Sequence, residues 1–490
     1  MERFLHRIGS EDAAPAGGEY LPTLNPVTAQ PWAEIARGTT EDVERAVAAA
    51  AGAFAIWRKT SPSARAELLW RLGEVISEHA EELAQLESRD IGKVIREMRG
   101  QMVALPKWYR YFASQCHNLE GSVIPLDQAS ILNYTRREPF GVVGIIPSFN
   151  SPVLLTSFAL APALAAGNAA VIKPSEHAST AVVLFARLFD EAGFPPGLVN
   201  VVTGLGPEAG DAVVGHPDVR KIAFTGGVET AQRVAARAAE GVKPAILELG
   251  GKSANIVFPD AGVDSAVNGI IAGIFAAAGQ TCLAGSRLLA HEKIADEIVE
   301  RVSDRARTIV MGDPLQDRTE IGPVAQPAIR DRVNDRVTEA VKVGAVATAG
   351  GDLSALANRA GWFYPPTVLD NVTNDMAIAR HELFGPVLSV LRFSEEDEAL
   401  SIANDSPFGL AAGLWTRDLN RAHRMAADLE AGTVWINTYR SLSFSSPFGG
   451  RKLSGYGREL GREGLLEFTQ TKSVWVETSE EPMGDPFVLR

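Results

Sequence analysis

The residue with the clearest chemical potential in this sequence is Cys282, which lies in the run Phe275–Arg287 after an apolar stretch. The run, Phe-Ala-Ala-Ala-Gly-Gln-Thr-Cys-Leu-Ala-Gly-Ser-Arg, surrounds the thiol with small residues and glycines, so a carbonyl carbon could reach it. The chain has 2 cysteines in all, and the other is Cys116. Most free cysteines are small buried hydrophobes, and that alternative stands beside a nucleophilic role.

A carboxylate stands 34 residues upstream of this thiol, at Glu248 in the largely apolar run Ile246–Asn255. Burying an isolated charge is costly, so a glutamate in such a strand-like segment is paired with a cation, neutral or functional. Partial burial would raise its pKa toward neutrality, where a general base works best. A thiol and a candidate base in these settings indicate covalent catalysis on a carbonyl.

Six short motifs make the sequence similar to the aldehyde dehydrogenase superfamily. They are Ile172–Glu176 (IKPSE), Phe224–Gly227 (FTGG), Leu247–Ser253 (LELGGKS), Gly279–Cys282 (GQTC), Glu382–Pro386 (ELFGP) and Pro447–Gly455 (PFGGRKLSG). One such motif would indicate little, but here six follow each other in the family's order and with family-like spacing. The resemblance extends from about Pro22 to Val476.

The resemblance implies oxidation of an aldehyde to the carboxylic acid. Cys282 would attack the aldehyde to give a thiohemiacetal, hydride loss to a nicotinamide would leave a thioester, and water activated by Glu248 would hydrolyse it. Asn150 would donate an N–H to the oxyanion, together with the backbone N–H of Cys282, although a simple turn asparagine is the alternative. Because members that use coenzyme A typically lack a glutamate at this position, Glu248 favours hydrolysis.

The same resemblance implies a nicotinamide dinucleotide cofactor. Lys173 and Glu176 follow a predicted strand, where the Glu176 carboxylate could accept hydrogen bonds from ribose hydroxyls and repel a 2′-phosphate, which favours NAD over NADP. Backbone N–H groups at a strand-to-helix junction would hold the pyrophosphate. The residues implied are Phe224, Thr225, Gly226 and Gly227 at that junction, with Glu382 at the nicotinamide ribose and Phe384 near its ring. His381 and Glu382 do not begin a His-Glu-x-x-His zinc motif, because position 385 is glycine, and we predict no metal site.

The candidate substrate-pocket residues are mostly apolar and suggest an aliphatic or aromatic aldehyde. Counted from the motifs, they are Leu154, Phe158, Thr281, Leu283, Leu442 and Phe448. Arg440, near Asn437, could instead hold a carboxylate, so a semialdehyde substrate stays open. The family frequently has lysine where Ala159 stands and asparagine where Ala277 stands. Apolar side chains could equally belong to the core.

The composition of the chain indicates which kinds of binding partner and which cellular compartment to expect. A formal net charge of -13 disfavours nucleic acid, whose phosphates need a basic surface. Two cysteines cannot form a disulfide framework, so we expect a reducing, cytoplasmic location, and Met1–Tyr20 lacks a signal-peptide core. The apolar stretch Pro152–Gly167 is shorter than a membrane span and contains Pro162, which predicts a buried helix and no membrane partner.

Patterning along the chain predicts the architecture. The N-terminal third is predicted to be helical over Glu41–Phe54 and Ala64–Asp90, and from Gly141 short strands alternate with helices. The predicted strands are Val142–Ile146, Ala170–Ile172, Val199–Val202 and Lys221–Phe224, and the helices between them are Ser179–Gly193 and Glu229–Glu240. Such alternation is typical of a parallel sheet that binds nucleotides at the carboxyl ends of its strands. Gly204–Gly210 misses the Gly-x-Gly-x-x-Gly spacing by one residue and is predicted to be a loop.

We therefore predict an α/β protein with an aldehyde dehydrogenase-like fold. A Rossmann-type NAD-binding domain would comprise residues 1–120 and 139–250, and an α/β catalytic domain that carries Cys282 would comprise 251–449. The resemblance implies a third, small β domain, in which an extended segment at 121–138 pairs with a C-terminal strand at about Thr469–Thr478, within 467–490. In the family this domain mediates oligomerisation, so we expect a homodimer or homotetramer.

Three other functions compete with a hydrolytic dehydrogenase. A coenzyme A-acylating semialdehyde dehydrogenase is disfavoured by Glu248. A cysteine hydrolase would leave the cofactor motifs unexplained, and no Gly-x-Ser-x-Gly or histidine-paired signature supports it. A catalytically silent binding protein is disfavoured because both Cys282 and Glu248 are intact.

Overall fold

The computed structural model describes residues 1–488, so the last two residues of the predicted segment 467–490 lie outside it. The prediction that the N-terminal third is helical is wrong for its first 36 residues, which form five strands: Glu2–Phe4, His6–Ile8, Glu11–Ala13, Tyr20–Asn25 and Gln30–Ala36. The first three strands have 3 residues each, too few for an alternating pattern to emerge from the sequence. Helices follow at Thr40–Trp57, Pro62–Glu78, Ala80–Ile91 and Ile95–Gln115.

The first large sheet has eight strands and a parallel centre. In spatial order the strands are Gly455–Tyr456, Ala245–Leu249, Val219–Gly226, Val142–Ile146, Ala169–Ile172, Val199–Val201, His6–Ile8 and Glu11–Ala13. The five strands from Ala245–Leu249 to Val199–Val201 run parallel, and antiparallel strands close both edges. The helices beside them are Pro152–Ala166, Thr180–Glu191, Asp211–Gly215 and Val228–Glu240. The four predicted strands and the two predicted helices between them are confirmed, with ends that differ by at most two residues.

Two local predictions have different outcomes. The stretch Pro152–Ala166 is a helix that is buried along nearly all of its length, as predicted, and Pro162 lies inside it. By contrast, Gly206–Gly210 is a helical turn that continues into Asp211–Gly215, so the predicted loop is wrong. Its Gly-Pro start resembles a loop in sequence, but proline fits the first turn of a helix. Across residues 1–488, none of the helices is both long and apolar enough to span a membrane.

The second large sheet has seven strands and carries the segment with Cys282. Its spatial order is Val346–Ala349, Thr367–Asp370, Val387–Phe393, Arg287–His291, Ala254–Val257, Ala411–Trp415 and Thr433–Ile436. All neighbours are parallel except the antiparallel pair at the Val346–Ala349 edge. Helices cover its faces at Val263–Ile274, Glu292–Thr308, Pro327–Lys342, Ala377–Arg380, Glu396–Asn404 and Leu419–Asp428. Two clusters of buried apolar side chains pack against this sheet, and a third packs against the first large sheet.

A smaller three-stranded sheet joins distant parts of the chain. Thr469–Glu477 pairs antiparallel with Ile131–Pro139 along nine residues, and Val123–Ile124 extends the sheet. The predicted pairing of the segment 121–138 with a C-terminal strand is therefore confirmed. A short ladder also joins Phe408–Gly409 to Arg451–Lys452, and the helix Gly461–Glu467 precedes the last strand. The predicted domain boundaries stay a prediction.

Candidate active site

Cys282 lies in a loop whose backbone is held in an unusual conformation. Three successive residues before it have left-handed backbones, Ala277 at φ 54°, Ala278 at 53° and Gly279 at 71°. For alanine this conformation costs roughly 1–2 kcal/mol. At Gly279 a Cβ would overlap the carbonyl of Gly385, so only glycine fits. The Ala277 N–H donates to Oε1 of Glu97 at 3.0 Å, which fixes the strained turn from outside.

The thiol of Cys282 is hard to ionise in the free protein. Burial raises its pKa to about 12, and the carboxyl groups of Glu382 and Glu248 add to the effect, because each would repel a thiolate. The backbone N–H of Leu283 opposes the rise by donating to the sulfur. At neutral pH the group is therefore a neutral thiol, and forming the nucleophile requires a change in the surrounding charge.

Asn150 lies between the strand Val142–Ile146 and the helix Pro152–Ala166, at the carboxyl edge of the first sheet. Its side chain is buried, and its Nδ2 donates to the carbonyl of Gln280 at 3.0 Å. That bond ties Asn150 to the residue two before Cys282 and uses one of the two amide hydrogens. Ser151 Oγ donates to the Asn150 carbonyl at 2.7 Å and accepts from Lys93 Nζ at 2.6 Å, which fixes the backbone at this point.

Glu248 is placed by the strand Ala245–Leu249, between Thr225 on one neighbouring strand and Gly455 on the other. It is 3% exposed, and neither carboxyl oxygen has a hydrogen-bond partner among the described residues. Burial, and then the charge of Glu459, raise its pKa well above the ordinary value of 4.5, and Arg458 only partly opposes this. The carboxyl group thus has no partner among the described residues and a raised pKa, a combination that is typical of functional carboxyl groups.

Glu459 is a second buried carboxyl group that the sequence reasoning missed. It is 2% exposed, and burial raises its pKa to about 8. The antiparallel strand Gly455–Tyr456 turns the chain back beside Ala245–Leu249, which brings this residue near Glu248. In the sequence this residue is a glutamate beside a leucine, Leu460, which does not indicate a function. Its proximity to Glu248 depends on the pairing of two distant strands, which only the fold shows.

One cleft of ≈ 800 Å³ joins most of the predicted catalytic and cofactor residues. Members of the predicted set that line it are Cys282, Glu248, Asn150, Thr225, Gly226, Gly227, Glu382 and Phe384. The cleft therefore connects the end of the first sheet with the loop of the nucleophile, and its size is in the range of ordinary ligand sites. Phe224 is buried beneath Gly226 and does not line it.

Lys173 and Glu176 lie apart from the cleft wall, at the end of the neighbouring strand Ala169–Ile172. Their side chains form an ion pair with Nζ and Oε2 3.3 Å apart. Burial acts to raise the pKa of Glu176, but Lys173, a backbone N–H and His177 together outweigh it and keep the pKa below its ordinary value. Because this strand, Val142–Ile146 and Val219–Gly226 are parallel neighbours, the ion pair lies at the same carboxyl edge as Thr225–Gly227.

Glu382 and Phe384 approach the cleft from the second sheet. Glu382 Oε1 accepts from the N–H of Gly251 at 3.1 Å, and a Cβ at Gly250 would overlap its carboxylate. Burial raises the pKa of Glu382 to about 7, although the Gly251 N–H and Lys252 oppose the shift. The ring of Phe384 packs edge-on against Phe149 at 5.6 Å between centroids.

The donors at one end of the cleft fit a dinucleotide. The helix Val228–Glu240 begins there, and its first N–H groups have no carbonyl to bind within the helix. A side chain at Gly227 would meet no atom within 4 Å, so its backbone is open to a bound group. Arg332 and Arg336 line the same cleft and supply positive charge. This combination suits the pyrophosphate of a dinucleotide, and Glu382 lines the same cleft.

The predicted substrate-pocket residues divide into two groups. Leu154, Phe158, Leu283 and Phe448 belong to the apolar cluster against which Cys282 packs. Thr281 borders a small separate cavity behind Glu382, and Leu442 is 38% exposed. None of these six lines the ≈ 800 Å³ cleft.

Two aromatic residues that the sequence reasoning missed complete this apolar wall. Trp108, on the helix Ile95–Gln115, stacks on Phe158 with centroids 5.8 Å apart, and Phe444 packs edge-on against Trp108 at 5.6 Å. Both are far in sequence from the motif around Cys282, so no local pattern could have identified them. Across residues 1–488, no group of three or more histidine, cysteine or acidic side chains could hold a metal ion.

Comparison with known proteins agrees with this geometry. A sequence model described as the aldehyde dehydrogenase family matches residues 13–474. The chain is 46% identical over 477 residues, 97% of each protein, to (Z)-2-((N-methylformamido)methylene)-5-hydroxybutyrolactone dehydrogenase of Acinetobacter baylyi. Two similar crystal structures contain nicotinamide adenine dinucleotide: PnpE from Pseudomonas (TM-score 0.95, 43% identity, 99% and 100% coverage) and a Bacillus cereus aldehyde dehydrogenase (TM-score 0.95, 41% identity, 98% and 97% coverage). The thiol, the buried carboxyl group and the dinucleotide cleft are thus found in a chain that belongs to the aldehyde dehydrogenase family.

Proposed function

We propose that this protein oxidises an aldehyde to its carboxylic acid with Cys282 as nucleophile, Glu248 as general base and Asn150 as oxyanion donor. The observation that carries the proposal is that all three side chains line one cleft with Glu382 and the strand-to-helix junction Thr225–Gly227. When bound, a nicotinamide dinucleotide supplies the hydride acceptor. The chain's own residues provide the nucleophile, the proton transfers and the binding of the developing charge.

Attack on the aldehyde begins with transfer of the Cys282 proton to a base, and Glu248 is the unpartnered carboxyl group in the same cleft that can accept it. The sulfur then bonds to the carbonyl carbon, and the carbonyl oxygen becomes an oxyanion that the second amide hydrogen of Asn150 and the Cys282 N–H bind. Asn150 is already tied to Gln280, so it is oriented before the substrate arrives. Losing one such donor typically lowers the rate by about 10²–10³-fold.

Hydrolysis of the thioester depends on Glu248. Its orphaned carboxyl oxygens are free to accept a proton from water, and the water oxygen then attacks the thioester carbon. The C–S bond breaks, which releases the carboxylic acid and returns the Cys282 sulfur, and the sulfur regains a proton. Because burial and Glu459 raise the pKa of Glu248, its conjugate base is stronger than an exposed carboxylate. Glu459 can share this proton, since it is the acid whose charge raises the pKa of Glu248 most and the two carboxyl groups ionise together.

The cofactor preference proposed is NAD over NADP. Glu176 remains ionised, because Lys173 holds its pKa below the ordinary value, and an ionised carboxylate at the ribose repels a 2′-phosphate. The pairing with Lys173 also fixes the carboxylate in place.

We also propose that the three-stranded sheet mediates a homodimer or homotetramer. Val123, at 72% exposure, and Trp475, at 62%, are large apolar side chains on that sheet that face solvent in the single chain. Exposed patches of this kind mark association surfaces.

The proposed domains are residues 1–120 with 139–250, 251–449, and 121–138 with 467–490. The two unpaired thiols suit a reducing, cytoplasmic location.

The direct test is NADH formation at 340 nm with a panel of aliphatic, aromatic and carboxylated aldehydes, with and without coenzyme A. We expect turnover without coenzyme A in the wild type, none in Cys282→Ser, and undiminished NAD binding in that variant. Cys116→Ser is the matched control, because Cys116 is buried in the first core and should not affect the chemistry. Turnover by Cys282→Ser, or turnover that requires coenzyme A, would contradict the assignment.

A further inference from the structure

Two cations lie near Cys282 without an acidic partner. Lys93 is 4% exposed, and its only side-chain hydrogen bond goes to Ser151 Oγ. Arg440 is half-buried and donates through Nη1 to the carbonyl of Ala272 at 2.9 Å, which leaves Nε and Nη2 unused. Neither cation forms a salt bridge with an acidic residue among residues 1–488. Most of the other partly buried arginines in this range form at least one salt bridge. Buried or half-buried charges are normally paired, so the missing partner requires an explanation.

These cations lie near Cys282 and the aromatic residues beside it. The charges of Arg440 and of the Cys282 sulfur both affect the pKa of Lys93, so the three groups are close together. Arg440 is in the loop that also supplies Phe444, whose ring packs against Trp108. The indole Nε1 of Trp108 is buried and has no acceptor within residues 1–488. The wall therefore combines apolar rings with unused hydrogen-bond donors.

The acids in this neighbourhood do not neutralise the two cations. Glu97 and Glu87 both influence Lys93, but each already accepts a backbone N–H, from Ala277 and Val153 respectively. Burial raises the pKa of Glu87 to about 7, so it is partly protonated at neutral pH. None of these acids forms a salt bridge with Arg440, so an anion that entered beside its guanidinium would be attracted to it.

We propose that the physiological aldehyde carries a carboxylate away from its reacting carbon, and that Arg440 binds that carboxylate. The inference rests on the proposed function, since it assigns the substrate class of the same site. A carboxylate is a hydrogen-bond acceptor only, and it matches the unused Nε and Nη2 fork of Arg440. The rings of Trp108, Phe158 and Phe444 would pack against the carbon chain between the two ends.

The kinetic test uses matched pairs of substrates. The ω-oxo acids of four, five and six carbons are each compared with the aldehyde in which an isopropyl group replaces the carboxylate, so that shape is kept and charge is lost. We expect the wild type to favour at least one oxo acid by about 10- to 100-fold in kcat/KM, the range of a charge-assisted hydrogen bond. The preference for the oxo acid over its neutral counterpart should come from a lower KM, with little change in kcat. It should decrease as salt is added, because salt screens the charge interaction.

The variant Arg440→Gln should remove that preference and leave the neutral aldehydes unchanged. Glutamine keeps most of the side-chain length and adds no β-branch at a residue whose φ is 62°. Arg417→Gln is the matched control, because it removes the same charge from an exposed arginine. Equal kcat/KM values within every wild-type pair, or an equal loss for charged and neutral substrates in Arg440→Gln, would overturn the proposal.

Binding of the expected products separates this inference from the proposed function. Calorimetric titration of the four-, five- and six-carbon dicarboxylates needs no turnover, and at least one should bind the wild type and bind Arg440→Gln about 10-fold or more weakly. If no aldehyde is oxidised and this binding is still seen, the proposed reaction fails and the carboxylate site stands. If aldehydes are oxidised and no dicarboxylate distinguishes the two proteins, the carboxylate site fails and the reaction stands.

Discussion

The ionisation of Cys282 offers the sharpest test of the site's electrostatics. Burial and the nearby carboxyl groups raise the thiol pKa from the ordinary 9.0 to about 12, a difference that lowers the thiolate fraction about 1000-fold near neutral pH. A more basic thiolate is also more nucleophilic, by roughly 15- to 30-fold for such a difference. The two effects combine to make alkylation of Cys282 about 30- to 60-fold slower than that of an ordinary exposed thiol at pH 8.

The assay is the rate of iodoacetamide incorporation at Cys282, followed by peptide mass spectrometry from pH 6 to 10 in the protein without cofactor. Cys116 serves as an internal reference, because it is 1% exposed and burial raises its pKa to about 11. We expect the Cys282 rate to rise about tenfold per pH unit across the whole range, with no plateau. A plateau that begins at or below pH 9 would refute the description of a thiol held neutral by its surroundings.

A substitution then tests the cause of the shift. After burial, Glu382 is the largest contributor to the raised pKa of Cys282, so Glu382→Gln should lower that pKa and accelerate alkylation. Because the pKa of Glu382 is itself about 7, the acceleration should be greater at pH 8.5 than at pH 6, where the carboxyl group is mostly protonated. The control Glu120→Gln removes a charge from an exposed position and should change nothing. An acceleration of equal size at both pH values would mean that Glu382 acts through packing and not through its charge.

Four further perturbations address the other parts of the site. Glu248→Gln should slow hydrolysis of the thioester by about 10²–10⁴-fold, more than acylation, and a pre-steady-state burst of NADH should appear or grow; an unchanged burst with unchanged turnover would remove Glu248 from the mechanism. Glu176→Gln should lower the ratio of kcat/KM for NAD to that for NADP, and a constant ratio would count against its place at the ribose. In the folded protein the pKa of Glu459 is about 8, above the ordinary 4.5, so the free energy of unfolding should fall as pH rises from about 4.5 to 8. The fall should reach up to about 5 kcal/mol, at about 1.4 kcal/mol per pKa unit. In denaturant titrations Glu459→Gln should remove that fall, and an unaltered pH dependence would contradict the assignment. Ala277→Gly should stabilise the fold by about 1 kcal/mol, because glycine adopts the left-handed backbone of position 277 without strain. The control Ala295→Gly, within the helix Glu292–Thr308, should destabilise the fold by about the same amount. A loss of stability in Ala277→Gly would show that the turn is not strained.

The parts of the structure that the sequence predicted well are those that depend on local order. Cys282, Glu248 and the junction Phe224–Gly227 each lie in a contiguous motif, and the parallel strands of the first sheet have dense β-branched runs bounded by turn residues. Secondary structure within these segments therefore follows from neighbouring residues, and the structure confirms it to within about two residues.

The parts that could not be predicted depend on pairing between distant segments. Glu459 becomes significant only because Gly455–Tyr456 pairs with the strand that holds Glu248. Trp108 joins the wall beside Cys282 only because the helix Ile95–Gln115 packs there, some 170 residues upstream of the thiol. Of the N-terminal strands, His6–Ile8 and Glu11–Ala13 are edge additions to the first large sheet, whereas the other three form a separate three-stranded sheet. Segments of 3 residues carry no periodic signal of their own.

The titratable groups of this site share one property that bears on how its reactivity is controlled. Burial shifts Cys282, Glu248, Glu459 and Glu382 toward their protonated forms, and it lowers the pKa of Lys93 and brings that of Lys252 to about 7. Every one of these shifts favours the uncharged state, because the free site solvates ions poorly. A thiolate or a carboxylate base therefore becomes accessible only when a bound group brings compensating charge or hydrogen bonds. We therefore expect Cys282 to react more slowly with electrophiles in the free protein than when the cleft is occupied, and a bound dinucleotide that left its alkylation rate unchanged would contradict this expectation.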